Sequence, residues 1–104
     1  MQFVNDKEKS VVLFHHWGGE EFATKRAKDF LKTLPQGRFG IPVDRREPQT
    51  IMRTFVAWLA QNYPENYGKD TYSMYFGFDE NDGDNSDNGH WVVDLVTNKI
   101  ERVD

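Results

Sequence analysis

The stretch that decides the fold runs from Ser10 to Gly19, SVVLFHHWGG. Its first eight residues are rich in β-branched and aromatic side chains and have the length of a strand. Val11 and Leu13 fall on one face, Val12 and Phe14 on the other, so both faces are apolar. A strand that is apolar on both sides belongs in the middle of a sheet. Gly18-Gly19 stops it, and from Glu20 the period changes to helical, with Phe22/Ala23, Arg26/Ala27, Phe30/Leu31 and Leu34 on one face and Lys25, Lys28, Asp29 and Lys32 on the other. Pro35-Gln36-Gly37 ends that helix.

On the N-terminal side of this stretch, Gln2 to Val4 is a short run that can fold back on it through the charged turn NDKEK. On the C-terminal side, Ile51/Met52, Phe55/Val56, Leu59/Ala60 and Tyr63 predict a second helix. It starts at Asp44 or Pro48 and ends before Pro64. TYSMYFGFD then alternates Tyr72, Met74, Phe76 and Phe78 against Ser73, Tyr75, Gly77 and Asp79, the pattern of a half-buried strand. The polar loop DENDGDNSDNG leads to the strand HWVVDLV, and Thr97-Asn98-Lys99 turns the chain into a closing strand at Ile100 to Val103. The order is ββααβββ, one domain over residues 1–104. The expected class is α+β: a two-layer sandwich in which an antiparallel sheet of about four to five strands carries two helices on one face.

Composition narrows the function. With no cysteine, the chain has no disulfide framework, thiolate nucleophile or cysteine-ligated metal. No run approaches the apolar length of a membrane span and the first residues are charged, so the cytoplasm is the expected compartment and no membrane is involved. Residues 1–53 carry ten Lys/Arg and seven Asp/Glu; residues 54–104 carry three and ten. The basic residues cluster only at Arg38, Arg45, Arg46 and Arg53, interrupted by Asp44 and Glu47, which argues against nucleic acid as a partner.

All three histidines, His15, His16 and His90, flank tryptophans at strand ends. Antiparallel pairing of residues 10–17 with 90–96 would bring His90 beside His15 or His16, with Asp79 within reach, a donor set for a divalent metal or a general base. Neighbouring residues of a strand point to opposite faces, so only one of His15 and His16 can join such a cluster, and no spaced motif such as HExxH supports it. Ordinary interfacial histidines beside buried tryptophans are the favoured reading, so no cofactor is expected, with a divalent metal as the alternative. The loop 79–89 resembles a calcium loop at its start, yet Asp79, Asn81 and Gly83 place the glycine one position early and no glutamate closes the loop. Gly18-Gly19 before a helix offers backbone N–H groups to an anion, against which Glu20 and Glu21 stand.

The run His16-Trp17-Gly18-Gly19 after an apolar strand, with Asp94 in a late valine-rich strand, resembles a scattered set of small bacterial, phage and mobile-element proteins. The resemblance implies no particular activity. The residues themselves support a noncatalytic interaction module, a homodimer or a binder of another protein, with a metal-assisted hydrolase or ligand-binding domain built on the histidines as the alternative. Candidate contact residues are Trp17, Gly18, Gly19, Arg45, Arg46, Arg53 and Trp58, the last lying beside the Phe55/Leu59 stripe. The basic segment Arg45 to Arg53 and the acidic loop are the complementary surfaces expected to drive self-association.

Overall fold

The computed structural model describes residues 1–15, 22–34, 46–64, 74–78 and 90–103, with the backbone alone at His15 and at residues 22–24. It is a mixed α+β fold. In chain order the described elements are β1 (Gln2–Val4), β2 (Val12–His15), α1 (a wide π-type stretch Phe22–Ala27 continued by α-helix Lys28–Leu31), α2 (Pro48–Asn62), β3 (Met74–Gly77), β4 (Trp91–Asp94) and β5 (Lys99–Arg102).

The strands form a three-stranded sheet ordered β1-β4-β5 and a two-stranded sheet of β2 and β3. β4 and β5 are antiparallel, as are β2 and β3, but β1 runs parallel to β4 with Phe3 opposite Val93. The expectation of a uniformly antiparallel sheet is therefore corrected. Phe3 and Val93, opposite each other in this pair, are both fully buried, as suits a parallel ladder covered on both faces. β1 also meets the chain before and into β2. Val4 bridges Lys9, Ser10 N–H donates to the Phe3 carbonyl at 2.8 Å and Leu13 N–H to the Met1 carbonyl at 2.8 Å. Asn5 closes the turn between them, its Oδ1 accepting from the N–H groups of Lys7 and Glu8.

α2 starts at Pro48, where the ring's fixed φ suits the first helical position and its missing N–H costs nothing. Ile51, Met52, Phe55, Trp58 and Leu59 form its buried face. From α1 come Ala27, Phe30 and Leu31, followed by Leu34; from the strands come Phe3, Leu13, Val93 and, just beyond β4, Leu95. The centre of this core is aromatic. Phe3 meets Phe30 and Phe55 edge-on at 6.1 and 5.6 Å between ring centroids, and Phe55 stacks on Trp58 at 6.1 Å. Such pairs add roughly 0.5–1.5 kcal/mol each beyond their area burial. At the rim Tyr63 stands edge-on to Trp58, with the Arg26 guanidinium 3.9 Å above its ring.

Val12 and Phe14 are buried too, outside that core cluster and on the other face of β2. The two apolar faces of the Ser10–Trp17 run are thus both covered over the described part. Across the hairpin of β4 and β5, Asp94 Oδ1 accepts from Val96 N–H at 2.8 Å and Asn98 adopts φ 60°, a conformation asparagine tolerates well.

Candidate interaction edge on the third strand

The histidine geometry expected from the sequence depends on β2 and β4 being neighbours, and they are not. β2 pairs with β3, setting His15 opposite Met74, while β4 pairs with β1 and β5. Among the described residues β2 and β4 belong to different sheets. His90 is 5% exposed, with Nδ1 shielded from solvent and its carbonyl accepting from Val103 N–H at 2.9 Å. Further interactions hold it in place. Among the described residues no three His, Asp or Glu side chains gather in a way that could hold a metal ion. His16, Trp17, Gly18, Gly19, Arg45 and Asp79 lie outside the described residues, as do the acidic loop and the resemblance motif apart from Asp94.

Asp94 has a local task, the hairpin turn described above. Arg46 is also occupied: its Nη1 donates to the Leu95 carbonyl at 3.1 Å and to Asn98 Oδ1 at 2.7 Å, tying the approach to α2 to the tip of the β4–β5 hairpin. Arg53 is exposed on α2. Trp58 is 4% exposed and belongs to the aromatic core, so it presents no surface to a partner. It lies three residues after Phe55, which on a helix puts both on one face.

What the structure leaves on the surface is β3. Tyr75, Phe76 and Phe78 are 40%, 56% and 86% exposed. Among the described residues β3 is paired on one side only, with β2. Among the described residues no strand pairs with its other side.

The direction of that edge follows from the hydrogen bonds of Leu13. The Met1 ammonium donates to the Leu13 carbonyl at 2.7 Å, and Leu13 N–H donates back to the Met1 carbonyl. In an antiparallel ladder the N–H and C=O of one residue point to the same side, so Leu13 turns both toward Met1 and away from β3. Its partner Phe76 therefore sits in a non-hydrogen-bonded pair and turns its own N–H and C=O outward. Met74, two residues away, does the same. Tyr75, in the alternate position, pairs with Phe14, and their rings stack at 5.1 Å and 12°.

The alternation of TYSMYFGFD identified the strand but placed Phe76 and Phe78 on a buried side. Phe76 does share the face of Leu13 that looks toward the helices; it lies beyond their cover because β3 is the outermost strand of its pair. Periodicity reports faces and is silent on edges. The one sequence signal available was the lack of any charge from Met74 to Phe78.

The Met1 ammonium lies where β1 and β2 meet, bonded to the Leu13 carbonyl. Burial lowers its pKa from 8.0 to about 5. A neutral amine still donates to Leu13, so the bond survives loss of the proton.

Comparison with known protein families, curated proteins and solved structures gave no match to this chain.

Proposed function

We propose that the protein is a noncatalytic interaction module that binds a partner strand along β3. The observation that carries this reading is the open β3 edge, with outward-facing backbone groups at Met74 and Phe76 and exposed rings at Tyr75, Phe76 and Phe78. An added strand would satisfy those backbone groups and cover the rings together, which is how sheet augmentation combines affinity with specificity. The reading treats the two sheets as one layer, in the order β3-β2-β1-β4-β5, lying under the two helices. The reciprocal bonds between Met1 and Leu13 support that continuity. The basic segment contributes less than its charge suggested, because Arg46 is committed to the hairpin.

The test uses a synthetic peptide spanning residues 72–79 as the probe strand. Titrated into the full chain, it should slow hydrogen exchange of the Phe76 amide while leaving amides of α2 unchanged. A Phe76 amide that exchanges at the same rate with and without saturating peptide would overturn the reading.

A further inference from the structure

Resting on that reading, we infer that the strand received by β3 is β3 of a second copy, paired antiparallel about a two-fold axis at Phe76. Residues Met74 to Phe78 carry no charge, so two copies meet without repulsion, and a symmetric pair needs a surface that complements itself. The backbone supplies that complementarity. Phe76 points its N–H and C=O outward, so on the axis each copy donates to and accepts from the other, forming one closely bonded pair.

The same register sets Tyr75 opposite Gly77 of the second copy. Gly77 has no side chain, so it does not crowd the Tyr75 ring that stacks on Phe14. Met74 meets the exposed Phe78 of the second copy. An axis at Tyr75 would instead oppose two tyrosines and turn the bonding groups of Phe76 away from a closely bonded pair on the axis. An axis perpendicular to the sheet also keeps Met74 and Phe76 of both copies on the helix-bearing face, giving one continuous sheet.

The chain has no cysteine, so single replacements report the register directly. In a closely bonded antiparallel pair the Cα atoms are about 5.5 Å apart, inside the range a disulfide spans. Phe76 is a surface position, so Phe76→Cys should keep the fold and, under mild oxidation at micromolar concentration, give a covalent dimer. Tyr75→Cys should not cross-link to itself but should link to Gly77→Cys in a mixture. Phe76→Lys sets two ammonium groups against each other and should weaken association in sedimentation by about tenfold or more. Preferential self-linking of Tyr75→Cys would overturn the register. A wild-type chain that stays monomeric to hundreds of micromolar, while the 72–79 peptide still protects Phe76, would overturn the second copy as occupant and leave the module reading standing. Dimers insensitive to Phe76→Lys would overturn the use of this edge altogether.

Discussion

Among the described residues β5 and β3 each pair on one side only, and the two strands differ in what they carry. β5 reads Lys99-Ile100-Glu101-Arg102: Ile100 packs against the core and the other three residues are exposed and charged. A strand arriving there would have to strip or match those charges, which is how sheet proteins commonly discourage edge-to-edge pairing. β3 offers Met74-Tyr75-Phe76-Gly77 with no charge and with its rings in solvent. Among the described residues this contrast, more than the exposed area alone, sets β3 apart from β5.

The contrast presumes that both edges hang on one shared middle, and the largest predicted effect tests it. Phe3→Ala removes the ring that touches Phe30 and Phe55 at the centre of the core. It should cost about 3–5 kcal/mol in denaturant unfolding. Both edges should lose their native amide protection in one transition; separate transitions for the β3 and β5 sides would break the idea of a common frame.

The seam at Met1 gives the next effect. The amine of the folded chain has its pKa lowered to about 5 from 8.0, so between those values the unfolded chain binds a proton that the folded chain does not. Stability should therefore rise from pH 5 to pH 8 and level off above, by up to about 4 kcal/mol if this group alone titrates. The Met1 α-proton shift in NMR should show a midpoint near 5. A midpoint near 8 would mean that the ammonium stays charged beside the Leu13 carbonyl and adds no such slope.

The smallest effect sharpens the comparison by loosening one edge alone. Arg46→Ala removes a charged donor from Leu95 and Asn98 at the hairpin tip and should cost about 1.5–3 kcal/mol. Exchange should quicken in β4 and β5 first, with the β2–β3 amides less affected. Equal quickening in both would show that the hairpin tip supports more of the fold than its own turn.

Much of the architecture was legible in the residues. The apolar faces of Val12 to Phe14, the helical stripe from Ile51 to Leu59 with Pro48 at its start, and the turn at Thr97-Asn98-Lys99 all rest on local rules, and local rules are what a sequence displays. β1 was harder. Three residues carry no readable period, and nothing local announces a parallel partner near the other end of the chain. The strand pairing assumed for the histidines shares that origin: among the described residues β2 pairs with β3 and β4 with β1 and β5, and His16 and Asp79 lie outside the described residues. Trp58 was misjudged for a geometric reason: on a long helix with a wide apolar face, a residue beside the main stripe is still inside.

The placement of β1 also sets an order of events. Gln2 is paired with Val92, ninety residues further along, so β1 lacks its ladder partner until nearly the whole chain is present. Helix α2 can form early from its own residues, but joining β1 to β4 requires closing a loop almost as long as the protein, which makes assembly slow relative to a helical chain of this size. During synthesis the uncharged β3 segment emerges before β4 does. β3 can therefore pair with β2 while the three-stranded sheet still lacks β4 and β5.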